Sequence, residues 1–386
     1  MKPPMRLVYP LHWSRLDRKA DRAQAMETAA ALARRGAEVT LLMPQGAGDP
    51  ALSPAALRDW FEVEGEFGLV QRPSRWAGAP LHRGLMWLRQ AFRDPLLRDA
   101  DLLYSRIPAM LGVGPACPIP FAFDHYRPWP DRLPALKPLF RRTVRQANCL
   151  GLILHSEHAA DSWRRAGVTA ERLLVAHNGA PAAVAPVEQG EARRALGLPA
   201  DRRIALYAGR LNTRKGLDRL LAVADLRPDI LFVLVGSEGE GPIEQAARSR
   251  ANVRVAPWAD AATLARWLGA ADVLVIPPSL APLERFGDCV LPIKTYAYLA
   301  AGRPILAPVA PDTAELLRDG QTALLIPPDR PDAAAAALDR LLGDAALARR
   351  LGDNGRALAA NLTWDARAEK IGAFLKERLS ARRASR

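Results

Sequence analysis

Short apolar runs rich in β-branched residues alternate with longer helical patterns along the whole chain. Within each run the apolar residues follow one another instead of alternating with polar ones, which indicates strands of a parallel sheet covered on both faces. The predicted strands are 7–9, 39–43, 102–104, 121–123, 150–155 and 173–176, then 204–208, 230–235, 253–256, 273–276, 305–307 and 323–326. The pattern therefore predicts an α/β protein with two doubly wound, Rossmann-like domains.

Helix signals and composition place the domain boundaries. Residues 22–35 form a helical pattern that ends at Gly36, in the manner of a helix C-cap. The stretch 181–201 is rich in Ala, Pro and Gly and contains no clear strand. We predict an N-terminal domain at 1–185, a second domain at 186–365, and a C-terminal segment at 366–386 that packs back toward the first. That segment completes an amphipathic helix over 364–379, and its basic tail at 381–386 is expected to be frayed.

The length of 386 residues suits two domains. The composition is that of an ordinary globular protein, which excludes a disordered chain, a collagen-like fibre and a coiled coil. The three cysteines, Cys117, Cys149 and Cys289, are far apart and form no CxxC pair, so neither a disulfide framework nor a cysteine zinc site is expected. The start shows no signal-peptide pattern, and no run of 18 apolar residues predicts a membrane span. These features predict a cytoplasmic protein.

The net charge of +13 is concentrated in one region. Residues 72–145 hold thirteen lysines and arginines but only five acidic residues. Arginine-rich composition alone explains part of this excess, but its clustering indicates an anionic partner: a membrane surface, a nucleic acid or a phosphorylated substrate.

A basic loop follows the first predicted strand of the second domain. Gly209 and Gly216 permit tight turns around Arg210 and Lys215, and a helix begins near Leu217. A guanidinium fork and an ammonium on a strand-to-helix loop, beside a helix N-terminus, suit a pyrophosphate. A merely solvated basic loop remains the alternative for this stretch taken alone.

Two further stretches come after strands of the same domain. A glycine-rich turn at 234–242, which includes Gly236, lets a ligand approach the backbone. A long loop at 277–288 precedes a helical pattern, a glycine at 302 and the strand at 305–307. Because ligands bind at the carboxyl ends of parallel strands, two such domains facing each other predict a single cleft lined by these loops.

Taken together, the Gly209-Arg210-Leu211…Lys215-Gly216 run, the turn at 234–242 and the stretch 284–305 resemble the retaining glycosyltransferases of family 4. The resemblance covers the second domain in order and spacing, and is looser in the first domain, at 36–40, 123–125, 154–156 and 175–179. It implies the GT-B fold. It also implies a nucleoside diphosphate sugar as donor.

The resemblance assigns roles to individual residues. Arg210 and Lys215 would hold the donor diphosphate, Glu284 would bind hydroxyls of the donor sugar, and His125 would lie near the reacting carbon. The remaining donor-binding positions that it implies are Gly209, Gly236, Phe286, Gly287, Asp288, Cys289, Val290 and Ala297.

Two positions depart from the family pattern. Ala297 stands where the family usually has a glutamate that binds the nucleotide ribose. Losing that contact would cost about 1.5–3 kcal/mol of donor binding. After the first strand, the family often has paired glycines, whereas this chain has Tyr9-Pro10-Leu11-His12-Trp13-Ser14. We interpret His12 as a loop residue and not as a catalytic base.

Two basic segments are of a kind that suits contact with an anionic membrane. Lys137, Arg141 and Arg145 recur at helical spacing beside Leu136 and Leu139, and the segment 82–98 mixes arginines with large apolar residues. A buried apolar face with solvated arginines explains the same pattern. Nucleic-acid binding is the least favoured alternative, since no zinc-finger spacing supports it.

These observations predict a glycosyltransferase that moves a hexose from a UDP- or GDP-sugar to a lipid-linked or saccharide acceptor, with retention at the anomeric carbon. Its place would be the inner face of the cytoplasmic membrane, in cell-envelope glycolipid or polysaccharide synthesis. No cofactor and no metal are expected, since Arg210 and Lys215 supply the positive charge. A non-catalytic sugar-nucleotide or glycan-binding GT-B protein, motivated by Ala297, and an epimerase remain alternatives.

Overall fold

The chain folds into two compact units that each centre on a parallel sheet. The computed structural model describes residues 3–77, 81–280, 292–311 and 313–384. Unit 1 comprises Met1–Asn178 with Trp364–Arg386, and unit 2 comprises Gly179–Thr363. The prediction of two doubly wound α/β domains is confirmed.

Within the described residues, unit 1 contains a seven-stranded parallel sheet in the order β3-β2-β1-β4-β5-β6-β7. Its strands are β1 Met5–Pro10, β2 Ala37–Gln45, β3 Gly68–Pro73, β4 Leu102–Ser105, β5 Phe121–His125, β6 Cys149–Leu154 and β7 Leu173–Val175. The sequence pattern missed β3, because this edge strand is only half-buried and lacks a continuous apolar run. β5 and β6 are buried throughout, as covered parallel strands should be.

The helices of unit 1 cover both faces of its sheet. They are α1 Ala20–Arg34, α2 Pro54–Phe61, α3 Leu81–Ala91, α4 Met110–Val113, α5 Trp129–Arg132, α6 Lys137–Arg145 and α7 Glu157–Arg165. Short 3₁₀ turns lie at Pro95–Arg98, Gly114–Ala116, Pro134–Leu136 and Ala170–Arg172. Helix α1 ends just before Gly36, whose φ of 82° closes the turn, as the sequence predicts.

In the described part of unit 2, six parallel strands have the order β10-β9-β8-β11-β12-β13. They are β8 Ile204–Ala208, β9 Leu231–Ser237, β10 Val253–Pro257, β11 Val273–Val275, β12 Ile305–Pro308 and β13 Leu324–Ile326. The helices are α8 Gln189–Ala195, α9 Leu217–Leu226, α10 Pro242–Arg248, α11 Ala261–Ala270, α12 Lys294–Ala301, α13 Pro331–Gly343 and α14 Ala345–Ala359, with 3₁₀ turns at Thr213–Lys215 and Thr313–Glu315.

The division between the units falls a few residues before the boundaries drawn from the sequence. Val184 packs in the core of unit 2, and the backbone N–H of Ala180 donates to the Leu362 carbonyl at 2.7 Å. The Ala- and Pro-rich stretch that follows Asn178 therefore belongs to unit 2 from its start.

The C-terminal helix α15 spans Trp364–Ala384 and belongs to unit 1. Its buried residues recur at helical spacing and pack on α1 and β6: Trp364, Arg367, Ala368, Ile371, Leu375 and Leu379. The expectation of a frayed tail from 381 is wrong as far as Ala384. Arg382 donates to the Ala147 carbonyl, and Arg383 pairs with Asp101 at 3.0 Å, which holds the last turn.

Across the described ranges, no helix combines the length and the apolar character needed to cross a bilayer.

Candidate functional site

The basic loop predicted to hold a diphosphate lies at the point where the strand order of unit 2 reverses. The chain leaves β8 for β9 on one side, and β11 pairs with β8 on the other. Gly209, with φ 141°, follows β8 directly. In doubly wound sheets this switch point is where ligands bind.

The basic loop after β8 packs directly against the glycine-rich turn at 234–242. The N–H of Gly209 donates to the Val235 carbonyl at 2.9 Å. A Cβ added to Gly236 would lie 2.5 Å from the Gly209 carbonyl oxygen. Only a glycine at 236 therefore allows this close approach of the loops after β8 and β9.

Helix α9 begins directly after the basic loop. Gly216 adopts φ 69°, and a Cβ there would lie 2.3 Å from the Ser279 Cβ. Lys215, which precedes it, thus lies beside the N-terminus of a ten-residue helix. The dipole of that helix favours an anion in front of the loop.

Three basic side chains, Arg210, Lys215 and Lys294, converge at this loop. Burial and the neighbouring Arg210 lower the pKa of Lys215. The Lys294 ammonium lies 3.5 Å from the Tyr207 ring centroid, and burial with the nearby Lys215 charge holds the pKa of Lys294 well below its usual range. Among the described residues, no carboxylate lies within ion-pair distance of the Lys294 ammonium. The loop therefore gathers three basic side chains.

Arg210 has an acidic neighbour, Glu238, in the glycine-rich turn at 234–242. Its Nη2 lies 3.1 Å from Oε1 of Glu238, and both side chains remain over two-fifths exposed. An exposed pair of this kind contributes at most about 1 kcal/mol. A bound diphosphate can therefore displace Glu238 from Arg210 at little cost.

Ala297 lies on α12 and faces the core of unit 2. It is 5% exposed and packs in the same cluster as Tyr296 and Tyr298. The Tyr298 hydroxyl accepts from the Ala208 N–H at 2.7 Å, which fixes α12 to the end of β8. Position 297 is thus held next to the strand that precedes the basic loop.

Several predicted donor-binding residues lie outside the described residues: Glu284, Phe286, Gly287, Asp288, Cys289 and Val290. Their assignments stay predictions.

In unit 1, His125 ends β5 within an aromatic cluster. Its ring stacks on Tyr126, with centroids 4.6 Å apart, and its Nδ1 accepts from the Arg127 backbone N–H at 3.1 Å. Burial, together with the positive charges of Arg106 and Arg127, holds its pKa well below the usual value. His125 is therefore a neutral imidazole whose proton resides on Nε2, which makes it a hydrogen-bond donor.

Asp124, the residue before His125, is fully buried and satisfied by three donors. It accepts from the Tyr104 hydroxyl at 2.6 Å, from His155 Nε2 at 2.6 Å and from Arg367 Nη2 at 2.8 Å. Burial alone would raise the pKa of Asp124, but the Arg367 charge and the hydrogen bond from His155 outweigh it and hold that pKa well below its usual range. Arg367 also donates to the Ala176 carbonyl, so α15 is fastened to the carboxyl ends of β5 and β7.

Three residues at these sites escaped the sequence analysis: Lys294, Arg367 and Arg106. Lys294 lies in a stretch that carries the family resemblance, but its sequence gives no sign that its ammonium packs on Tyr207. Arg367 and Arg106 stand among many arginines, and only their burial distinguishes them. His12 is a loop residue after β1, with its Nε2 3.7 Å from Asp21.

The two basic segments differ in what they expose. In 82–98, Trp87, Leu88 and Leu97 are buried, and the arginines face solvent. Around α6, Leu133, Leu136 and Leu139 are each about 40% exposed beside Arg141 and Arg145. We call this second surface the α6 face.

Comparisons with known proteins agree with this architecture. The family model described as Glycosyltransferase Family 4 matches residues 23–184, and that of Glycosyl transferases group 1 matches 188–358. A D-inositol 3-phosphate glycosyltransferase of Streptomyces bingchenggensis is 32% identical over 234 residues, covering 55% of this chain and 50% of that protein. The chain thus spans about half the length of the curated relatives it matches.

Solved structures show the same fold at low identity. Sucrose-phosphate synthase from Thermosynechococcus elongatus superposes with a TM-score of 0.77 at 21% identity, over 98% of this chain and 100% of the other. Anabaena Alr3699/HepE, solved in complex with UDP-glucose, gives 0.71 at 16% identity, over 97% and 100%. The fold is that of the GT-B glycosyltransferases, and the two family models together span most of the sequence. The chain belongs to the glycosyl transferases of group 1, family 4.

Proposed function

We propose that the protein transfers a hexose from a UDP- or GDP-sugar to a lipid-linked or saccharide acceptor, with retention at the anomeric carbon and without a metal. The observation that carries this proposal is the basic loop after β8. There Arg210, Lys215 and Lys294 gather at the switch point of unit 2, beside a helix N-terminus and close-packed glycine turns.

The chemistry requires positive charge at the leaving group. As the sugar–phosphate bond breaks, negative charge grows on the departing diphosphate. Cations that are already in place stabilise this charge more in the transition state than in the ground state. Arg210 offers a fork of N–H donors and Lys215 a compact charge. His125, held neutral, serves as a hydrogen-bond donor and not as a base.

The comparisons support a nucleotide sugar as the donor, but they do not identify the sugar or the acceptor. Relatives named D-inositol 3-phosphate glycosyltransferase share about a third of aligned residues with half of this chain. A structural neighbour was solved with UDP-glucose. Both favour a nucleotide sugar as the donor.

The α6 face supports a membrane-bound acceptor in cell-envelope synthesis at the inner leaflet. Exposed leucines beside arginines suit the interface of an anionic bilayer, where each basic residue contributes about 1 kcal/mol. Co-sedimentation with phosphatidylglycerol vesicles tests this. We expect Leu136→Gln with Leu139→Gln to weaken binding, whereas Leu226→Gln, at an exposed leucine of unit 2, leaves it unchanged. Equal binding by all three proteins would remove the α6 face from the proposal.

A non-catalytic sugar-nucleotide binder is the second candidate, and Ala297 favours it. Without a carboxylate at that position, the ribose loses one hydrogen-bonding partner. The Ala297→Glu variant tests whether the position faces the ligand. If it does, UDP should raise the melting temperature of the variant more than that of the parent.

A transfer assay separates catalysis from binding. The protein is incubated with UDP- and GDP-sugars and a bacterial lipid extract, and released nucleotide and glycosylated product are measured, with the product's anomeric configuration. We expect Arg210→Ala and Lys215→Ala each to lower kcat/KM by about 10²–10³. Lys370→Ala, at an exposed lysine of α15, is the matched control, and EDTA should not change the rate. Nucleotide binding without any transfer or hydrolysis would favour the binder instead.

A further inference from the structure

Lysine is rare in this chain, and unit 2 has both of its lysines at one site. Only seven of the 54 basic residues are lysines. Between residues 179 and 363 the lysines are Lys215 and Lys294 alone, and that range contains no histidine. Burial can remove the proton of a lysine, whereas a guanidinium stays charged. The basic groups of unit 2 that can lose their charge are therefore both at the loop after β8.

Tyr207 of β8 joins Lys294 to that loop. The Lys294 Nζ lies 3.5 Å from the Tyr207 ring centroid. A Cβ added to Gly209 would lie 2.9 Å from this Nζ and 3.1 Å from the Tyr207 hydroxyl oxygen. The same hydroxyl donates to the Arg210 carbonyl at 3.2 Å. One tyrosine thus contacts both the buried lysine and the first basic residue of the loop.

The surroundings of the Lys294 Nζ disfavour a positive charge. Lys294 is the first residue of the eight-residue helix α12, where the positive end of the helix dipole lies. Burial and the nearby Lys215 charge hold the pKa of Lys294 well below its usual range. Burial and the Arg210 charge also lower the pKa of Lys215. In the described ranges, no carboxylate lies within ion-pair distance of Lys294 to offset these effects.

The tyrosines of this region supply no negative charge. Burial raises the pKa of Tyr207 on β8 and of Tyr298 on α12, so both remain neutral phenols. The face of the Tyr207 ring attracts a cation and partly opposes the loss of charge from Lys294. The lysine therefore lies in a place that disfavours its charged form but still has a favourable contact for an ammonium.

An anion in front of the loop would change this balance. A diphosphate beside Lys215 lowers the cost of a second positive charge at Lys294, because an opposite charge nearby favours the ionised form of a lysine. Binding of the anion and binding of the proton then favour each other by the same free energy.

We propose that Lys294 is uncharged in the free protein and becomes an ammonium when the donor diphosphate binds, so that donor binding takes up a proton. The proton comes from solvent and bonds to the lone pair of Nζ, and no other bond changes. The inference rests on the proposed function in taking the anion to be the donor diphosphate. It adds to that function a dependence of donor affinity on pH.

Calorimetry measures the proton directly. The full chain is titrated at pH 7.5 with UDP-glucose and with GDP-mannose, in three buffers of different ionisation enthalpy at constant ionic strength. The slope of the binding heat against the ionisation enthalpy gives the number of protons taken up. The diphosphate of a nucleotide sugar has no proton that titrates near neutral pH, so the ligand does not contribute to this number.

We expect the parent to take up a proton fraction of up to one per bound donor. Lys370→Met, at an exposed lysine of α15, should take up the same fraction. Lys294→Met, with a side chain of similar length and no charge, should bind the donor more weakly and take up no proton at this site.

The affinity itself should follow pH with a defined sign. Below the pKa of Lys294 in the free protein the proton is already present, so donor affinity is highest there. As the pH rises from 6 to 8.5, the affinity of the parent should fall, by at most tenfold per pH unit for one proton. The affinity of Lys294→Met should change less over the same range.

Two results would overturn the inference: donor binding by the parent without proton uptake, or equal uptake by Lys294→Met and the parent. The first needs the parent alone, so it decides even if Lys294→Met does not fold. A parent that binds a nucleotide sugar without taking up a proton leaves the proposed function standing. A parent that binds neither nucleotide sugar overturns both.

Discussion

At the scale of single residues, a buried ion pair organises the edge of unit 1. Asp124 is fully buried and receives Arg367, His155 and Tyr104. An isolated buried carboxylate would be costly, but three donors leave it ionised. The residue that follows it, His125, is thereby held at the end of β5 by a rigid neighbour.

His155 makes the stability of unit 1 depend on pH. Burial lowers its pKa from about 6.5 to about 3. Between these values the unfolded chain binds a proton that the folded chain does not. The stabilisation is therefore complete above about 6.5 and is lost as the pH falls toward 3, by up to about 1.4 kcal/mol per pH unit. His125 contributes with the same sign.

Urea unfolding from pH 7 to pH 4 measures this dependence. We expect His155→Gln to lose part of the slope, so that the difference in stability from the parent shrinks as the pH falls. His82→Gln, at an exposed histidine of α3, should follow the parent. A constant difference between parent and His155→Gln across the range would contradict the assignment.

Residue types and spacing were enough to single out Arg210 and Lys215, which the structure brings together. His125 was singled out only by the family resemblance. The same reasoning could not distinguish Arg106 or Arg367 from the other arginines. Their importance lies in burial and in partners far away in sequence, such as Gln24 for Arg106 and Asp124 for Arg367. Nothing in the local sequence encodes these contacts.

At the scale of elements, the C-terminal helix α15 packs on β6 through a glycine. Gly151 has φ 149°, and a Cβ added there would lie 2.6 Å from Cζ of Phe374 and 2.7 Å from the Arg172 carbonyl. The absent side chain allows the aromatic ring to contact the strand. This contact and the Arg367–Asp124 pair fix the middle and the first turn of the helix to one sheet.

We expect Gly151→Ala to destabilise the protein by about 1–3 kcal/mol, because it combines backbone strain with a clash. Gly372→Ala is the matched control within α15, where an added Cβ meets nothing within 4 Å. That substitution should stabilise by about 0.5–1 kcal/mol, since alanine is the better helix former. Thermal or urea unfolding measures the change in the free energy of unfolding for each variant. Equal changes in the two variants would contradict this account of the contact.

The elements themselves were largely predictable. Twelve apolar runs correspond to strands, because covered parallel strands carry an unbroken apolar signal. The edge strand β3 lacks that signal, since its residues are only partly buried. The sequence predicted too early an end for the ordered part of α15. Its last turn is held by arginines that contact Ala147 and Asp101, and a run of basic residues gives no sign of such distant contacts.

At the scale of the whole molecule, the two units repeat one arrangement. Each places an arginine within two residues of the end of a strand at its switch point: Arg210 after β8 in unit 2, and Arg106 after β4 in unit 1. In the proposed function, Arg210 holds the diphosphate of the donor. Family membership fits this role for the loop after β8.

The most direct test of the central claim is calorimetric titration of the full chain with UDP, GDP and ADP, beside Lys215→Ala and the control Lys370→Ala. The account expects UDP or GDP to bind the parent and the control alike. It expects Lys215→Ala to bind that nucleotide about 10- to 100-fold more weakly, since a charge-assisted contact to the diphosphate is lost. Equal affinity of Lys215→Ala and the parent, or no nucleotide binding by the parent, would contradict it.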